Sequence, residues 1–597
     1  MQHAKIHKKT LSDVTSSEII ELFKSLHNPE GATKKWLYLV GIILTPITMI
    51  GALWFFVRNY NRHLKQKEQQ PTLSELEPIT KVAMFIGGIV IWLTIIAVMY
   101  LSYTTFAFFF GKQSGIIPYV IGGINALICL FVFVIFRRWQ NRVIEENNAK
   151  SLFGTARWAL KKDLIDLLCV TGIYIGGQMY GYKKQGHLIS ISSTRGGKFV
   201  NLIAPNLLGL GGYPGSWFCI DVKGEISAVT ARYQRSLGKK VIILNPWSDQ
   251  PSDSYNPLDV LYLNKDNEEA LIDAVSVIAE MIVPKKATGE QFWQNRARSV
   301  IGGLILYLVL SQQKEVANLG TIWKWLRLPE DMFEEILVNM SVSRNDVVRA
   351  TGNECISAIK TSDKMWGSIM AEALDHTDFL KSPALQKSLS TSSFDITKIN
   401  DGNTTLYQVI PPDKIESHAQ WLRLVLSTSM LSVVKNKNKR ITFLIDEFAA
   451  LGYLPQAKVA LSTYAGYNIT LWPIVQELAQ LKDIYGESWT SFISNTAVRH
   501  FFNISDNFGC EYVSQLIGEK TSVMYEDGKP KSTARRLITP DEVRRFSGEN
   551  IITIIEQRPP TYFAKIPYYE MDFLNGRHDE NPYYTPDEDD KPFIAPL

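Results

Sequence analysis

The sequence predicts an α/β protein. A mostly parallel, twisted sheet with helices on both faces is interrupted by an all-helical insertion and preceded by a transmembrane domain. Three features lead there. The first quarter holds long apolar runs without charge. From Gly186 onward, short apolar runs alternate with helical stretches. Between about Asn264 and Ser390, helical periodicity displaces the strand pattern. The 597 residues suffice for several domains. A hydrophobic content of 46% against 20% charged excludes a disordered chain. The net charge of +4 excludes a protein that coats phosphate over its whole surface, although local basic patches remain open. Cys129, Cys169, Cys219, Cys355 and Cys510 are far apart and form no CxxC pair. They read as buried reduced thiols of a cytosolic body, not as a metal knuckle.

Runs 36–57, 82–110 and 116–136 contain no charged residue. Each reaches the roughly 20 helical residues that cross a bilayer core. The first run starts too late and is too long for a secretory signal. Arg137, Arg138 and Arg142 directly follow the last run, which places the rest of the chain in the cytosol. Three crossings would put the N-terminus outside, whereas Lys5, Lys8, Lys9, Lys24, Lys34 and Lys35 favour inside. Pro46 and Gly51 leave a re-entrant first run as the alternative. No Asp, Glu, Lys, Arg or His lies within the runs, which argues against an ion-driven transporter.

Strands are expected at 186–193, 217–221, 240–244, 441–445, 469–472 and 551–555. A helix should run from Glu225 to about Leu237, with Gly238 as its stop. Alternation of strand and helix implies parallel pairing with right-handed crossovers. The insertion reads as helices over 268–281, 291–311, 321–328, 329–340 and 357–374. The expected organisation is an N-terminal segment (1–35), a transmembrane domain (36–136) and a nucleotide-binding domain in two parts (150–263 and 391–569). The all-α insertion (264–390) divides those parts. An acidic, Pro-rich, disordered tail (570–597) ends the chain.

Two motifs carry the chemistry. The first, Ser192-Ser193-Thr194-Arg195-Gly196-Gly197-Lys198-Phe199, sits between a strand and a helix. Backbone N–H groups of such a turn form a nest for phosphate, glycines let it curl, and Lys198 adds a cation. Against the pattern GxxxxGK[ST], Ser192 replaces the first Gly and Phe199 the hydroxyl residue that normally meets Mg²⁺. A Gly-rich turn with a surface Lys is the alternative. The second motif is Ile441-Thr442-Phe443-Leu444-Ile445-Asp446-Glu447. Its carboxylates leave the C-terminal end of a buried strand, where ligands bind in α/β sheets. A solvated strand end is the alternative there. Asp221, after Phe218-Cys219-Ile220, competes with Asp446, but only Asp446 has a second carboxylate beside it.

Further motifs extend the pattern: Ile203-Ala204-Pro205-Asn206-Leu207-Leu208, Asp221-Val222-Lys223-Gly224-Glu225, Ser254-Tyr255-Asn256-Pro257-Leu258 and Gln291-Phe292-Trp293. Asp446-Glu447-Phe448-Ala449-Ala450-Leu451-Gly452, then Gln476 with Gln480-Leu481 and Tyr485-Gly486, and Leu537 to Val543 complete it. In this order, from about Gly186 to Tyr569, the chain resembles the coupling proteins of type IV secretion systems, the membrane-anchored ATPases of conjugation and effector export. The resemblance implies a RecA-like phosphate-loop ATPase domain that uses ATP and Mg²⁺. It implies that Ser193, Thr194, Arg195, Gly196, Gly197, Lys198 and Phe199 cradle the phosphates and that Asp446 holds Mg²⁺. Lys198, Glu447 and Gln476 would act on the γ-phosphate and the attacking water. It further implies a multi-pass protein of the bacterial inner membrane with its large C-terminal part in the cytoplasm. The implied partners are channel components, a relaxase–DNA complex or effector proteins, and further copies of the chain in a hexameric ring. The insertion would be the docking surface. No Lys or Arg occurs in 463–470, where some members carry a cation that reaches a neighbouring subunit's nucleotide, and Arg499 and Arg545 are the remaining candidates.

Two functions follow: an ATPase that drives substrate export, or a membrane-bound receptor that binds nucleotide and hydrolyses it weakly, which Phe199 keeps open. The basic run Lys435, Lys437, Lys439 and Arg440 is the densest candidate for DNA contact near a motif.

Overall fold

A computed structural model describes residues 153–583 except 169–170, 178, 285–290, 437 and 527–528, with a few positions between 131 and 138. The expected membrane spans fall outside the described residues, save for isolated positions of the last. Among the described residues no helix is long and apolar enough to cross a membrane.

Apolar strands build a nine-stranded sheet. In chain order its members are β3 (His187–Ser192), β4 (Ser216–Val222), β5 (Lys240–Leu244), β6 (Thr404–Ile410), β7 (Ile441–Ile445), β8 (Ile469–Val475), β9 (Thr496–Phe502), β12 (Asn550–Ile555) and β13 (Thr561–Ala564). Their spatial order is β13-β12-β9-β3-β8-β7-β4-β6-β5. The seven strands from β9 to β5 pair in parallel. The strand expected at 551–555 is present as β12, but it runs antiparallel to β9 and to β13. A short return is sufficient there, because Thr561 follows Ile555 closely and antiparallel strands need no crossover helix. Two small antiparallel ribbons, β1 (Ile173–Gly176) with β2 (Tyr180–Tyr182) and β10 (Glu519–Glu526) with β11 (Lys529–Arg536), stand outside the main sheet.

The central strands are buried on both faces, as parallel strands covered by helices must be. Side chains alternate between two cores. Ile189, Phe218, Phe443 and Leu471 join the core that continues into the helices between β5 and β6, through Leu271, Ile301, Leu337 and Ile369. Leu188, Trp217, Leu444 and Trp472 join the other core, with Phe199, Leu202 and Val229. The helices between β5 and β6 thus share apolar packing with one sheet face and do not hang free of it.

Five main helices fill that segment: Glu268–Ile282, Phe292–Ser311, Glu330–Ser341, Asp346–Thr361 and Asp363–His376. One continuous helix was expected over 357–374, but two helices meet at Ser362. Ser362 is extended (φ −163°) and its hydroxyl accepts from Met365 N at 3.3 Å, so it caps the second helix and ends the first. Gly352 allows the helices Glu330–Ser341 and Asp346–Thr361 to touch. A Cβ there would lie 2.7 Å from Ser341 N and 2.9 Å from Leu337 O.

The tail expected to be disordered from Glu570 is docked as far as Tyr583. Arg232 Nε meets Asp579 Oδ1 at 2.5 Å, and Asn581 Nδ2 donates to Glu225 Oε1 at 2.6 Å. Composition misled here because the helix Glu225–Ser236 offers a cation, Arg232, to the tail's Asp579 and a carboxylate, Glu225, to the amide of Asn581.

Gly352→Val should lower stability by about 1–3 kcal/mol, because the obstructing atoms are backbone. Chemical denaturation of the solubilised protein measures it.

Candidate functional site

Three neighbouring parallel strands aim at one point. Spatially they are β3, β8 and β7, and each ends in a polar residue or loop. The phosphate-loop motif leaves β3, Gln476 follows β8, and Asp446-Glu447 follows β7.

The loop after β3 is shaped by two glycines. Gly196 N donates to Ser193 O at 2.9 Å, closing a tight turn. A Cβ on Gly196 would lie 2.4 Å from Ser192 Oγ, so the space it vacates admits the serine that stands for the usual first glycine. Gly197 has φ +86°, and a Cβ there would collide with Asn201 Nδ2 at 2.5 Å. Arg195 also takes a left-handed φ of 59°. Thr194 and Arg195 are exposed at the tip. Ser193 Oγ donates to Asn503 O at 2.6 Å, tying the loop to the end of β9.

Lys198 opens the following helix, whose first turn, Phe199–Ile203, is a wide π turn continued by Ala204–Leu207. Such turns concentrate at functional sites. The Phe199 ring is 8% exposed and packs in the core beneath the helix, edge-on to Tyr568 at 5.9 Å. Phe199 thus keeps its place in the phosphate-loop motif while its side chain points away from the loop's open side. The ring is a core anchor, and the residue offers the site only backbone.

Lys198 Nζ lies 2.7 Å from Asp446 Oδ1 and 2.8 Å from Glu447 Oε1. Gln476 Nε2 donates to Glu447 Oε2 at 2.8 Å, and Gln476 N donates to Gln480 Oε1 at 3.0 Å. Both Glu447 oxygens are therefore engaged. Burial works against the Lys198 ammonium, but the charges of Asp446 and Glu447 outweigh it and hold its pKa above the lysine range. Burial, opposed by Lys198, keeps the Asp446 carboxyl above its ordinary range. Glu447 adopts φ 53°, a left-handed turn that swings its side chain back over the strand ends.

Asp446 Oδ1 is a buried carboxylate oxygen that faces the Lys198 ammonium at 2.7 Å. Hard oxygen donors with few protein ligands suit Mg²⁺, which keeps waters and takes phosphate oxygens as its other ligands. Asp446 and Glu447, adjacent carboxylates facing the phosphate-loop lysine, could supply such oxygens.

Asp221 is the penultimate residue of β4, which lies beside β7 in the sheet. Its oxygens accept from Ile226 N at 3.1 Å and Ser227 N at 2.7 Å, so it caps the helix Glu225–Ser236. This cap, and no ion pair from Lys223 to Asp221 or Glu225 among the described residues, holds the turn. Burial pushes the Asp221 carboxyl up to about 7, against the lowering effect of those N–H donors.

Asn201 was missed by the sequence reading. Its Nδ2 donates to Gly197 O at 2.8 Å and steadies the loop from below. A lone amide in the apolar run Phe199 to Leu202 was the available signal. The candidate trans cations are elsewhere engaged: Arg499 Nε donates to Ile493 O at 2.8 Å, and Arg545 pairs with Asp541 at 3.3 Å. The basic run before β7 is dispersed. Lys435 Nζ donates to Asn264 Oδ1, and Arg440 is covered by the Tyr213 ring and donates to Lys183 O.

The family model described as "Type IV secretory system Conjugative DNA transfer" matches residues 137–587. The chain belongs to that family. Within it, the chain is 24% identical over 516 residues to protein VirD4 of Rhizobium rhizogenes, covering 79% of this chain and 73% of that one. It is 26% identical over 477 residues to conjugal transfer protein TraG of Escherichia coli, covering 68% and 73%. The fold is similar to that of a solved plasmid coupling protein, TrwB in complex with ADP and Mg²⁺. That likeness has a TM-score of 0.53 and 16% identity, over 69% of this chain and 94% of that one.

Because the Asp221 pKa is raised, the native state binds a proton that the unfolded state has lost. Asp221 thus costs stability as pH rises from about 4 to about 7. Asp221→Asn should remove that slope. Denaturation midpoints across this range test it.

Proposed function

We propose that this chain is the inner-membrane coupling ATPase of a type IV secretion or conjugation system. It would recruit a relaxase–DNA complex or effector proteins and deliver them to the channel at the expense of ATP. The observation that carries this reading is the convergence of Lys198, Gln476 and the Asp446-Glu447 pair at the ends of adjacent parallel strands, in a chain of this family.

ATP would enter over the turn Ser193 to Gly197, where curled backbone and a helix N-terminus favour phosphate. Lys198 would leave the carboxylates for the phosphate oxygens, exchanging one set of negative partners for another. Asp446, with Glu447 near it, would hold Mg²⁺, which supplies charge neutralisation at the phosphates. Glu447, freed from Lys198, would accept hydrogen bonds from the attacking water, and Gln476 would keep its carboxylate aimed. Each of these groups stabilises charge that grows in the transition state.

Weak hydrolysis was the alternative, and it rested on Phe199. The ring is turned into the core, so a water would take the place of the missing hydroxyl on the metal. The helices 264–390 are proposed as the surface that meets substrate, with the apolar runs before Phe136 as the membrane anchor. A ring of further copies would complete each site with a cation that this chain's own described residues do not bring to it.

Glu447→Gln should still bind ATP but turn it over about 100-fold or more slowly, the usual range for losing a general base. Lys198→Ala should lose binding and turnover together. Both are measured on the full-length protein in lipid, and DNA stimulation of the wild type would favour conjugative transfer.

A further inference from the structure

The helix that carries Lys198 is held at both ends by one segment of the C-terminal region. At its start, the buried Phe199 ring meets the buried Tyr568 ring edge-on at 5.9 Å. At its end, Arg577 Nη1 donates to Leu208 O at 3.3 Å, just past Ala204–Leu207. Carbonyls in the last turn of a helix lack partners and face the negative end of its dipole, so a guanidinium suits that place. The guanidinium is itself fixed. It lies 5.1 Å from the Tyr233 ring centre and 4.1 Å from that of Phe573, and Nη1 donates to Tyr233 Oη at 2.9 Å.

The segment has its own foundation. Arg232 binds Asp579 and donates to the carbonyls of Gly576 and His578 at 3.1 Å each. Asp579 N donates to Val229 O at 3.0 Å. These contacts fix residues 576–579 to the helix Glu225–Ser236, whose start is capped by Asp221 from the sheet. A strap anchored to the sheet through a separate helix therefore grips the phosphate-loop helix from outside. This gives Phe199 a physical role: an aromatic ring at this position reaches the strap, whereas a short hydroxyl side chain would not.

We propose that Tyr568 and Arg577 are positioning residues that fix the phosphate-loop helix through Phe199 and Leu208 and so set the affinity for nucleotide. The inference rests on the ATPase reading for its consequence, but its structural part can be read without nucleotide. A firmly placed loop binds ground state and transition state alike, so loss of the grip should raise KM and leave kcat nearly unchanged.

The test uses the full-length protein in lipid nanodiscs, with Tyr568→Ala, Arg577→Gln and the conservative Tyr568→Phe. Amide hydrogen exchange over 198–208 is measured without nucleotide, alongside ATP binding and steady-state turnover. Tyr568→Ala and Arg577→Gln should each speed exchange in that stretch about tenfold, while β7 and β8 stay protected. Their Kd and KM for ATP should rise about five- to tenfold with kcat within about twofold, and Tyr568→Phe should match wild type. The proposal is overturned if exchange over 198–208 is unchanged, if it quickens uniformly over the whole body, or if affinity holds while exchange rises. Wild-type protein that binds no ATP would contradict the ATPase reading, and the exchange result would still decide the grip of the strap.

Discussion

A lysine ammonium held between two carboxylates is the interaction on which this molecule turns. Lys198, Asp446 and Glu447 are each mostly withdrawn from solvent. Charges in such a place are costly unless paired and hydrogen-bonded. Without Lys198, two adjacent carboxylates would face each other. Without the carboxylates, a buried ammonium would stand alone. The trio is tolerable only as a set, and ATP with a divalent cation would replace the missing partner of each group. A phosphate can take over Lys198, and a metal can take over Asp446. The resting contacts thus pre-position the groups that a nucleotide would need.

The sheet exists in the form that this set requires. β8 lies between β3 and β7, so Gln476 emerges between the lysine and the acids and bonds the outer oxygen of Glu447. All three strands are parallel, so their C-terminal ends coincide. The alternating strand faces bury two separate cores, one of them shared with the helices between β5 and β6. The strands and those helices thus share one continuous apolar core.

Much of this was legible in the residues. The runs that became β3, β4, β5, β7 and β8 are short, apolar and bounded by turn residues, and their ends carry the phosphate loop and the acidic pair. β6 and β9 were not legible. Gln408 interrupts the first, and Arg499 and His500 interrupt the second. Those polar groups find local partners: Gln408 Nε2 donates to Trp421 O, Arg499 Nε to Ile493 O, and His500 Nδ1 lies 3.1 Å from Ser190 Oγ. A sheet interior can accept polar side chains when partners exist, and sequence periodicity does not reveal partners. Phe199 shows the same limit. As a motif position it read as a missing metal ligand, whereas its ring faces away from the site. The acidic tail as far as Tyr583 departs for the converse reason, since composition suggested solvent where Arg232 and Arg577 supply docking.

The central claim is that nucleotide draws Lys198 away from its carboxylates. A structure of the full-length protein with Mg²⁺ and a non-hydrolysable ATP analogue tests it directly. The account predicts Lys198 Nζ on the phosphate oxygens and beyond ion-pair distance from Glu447, with Gln476 still on the Glu447 carboxylate. Nucleotide bound while Lys198 remains 2.7 Å from Asp446 and 2.8 Å from Glu447 would contradict it.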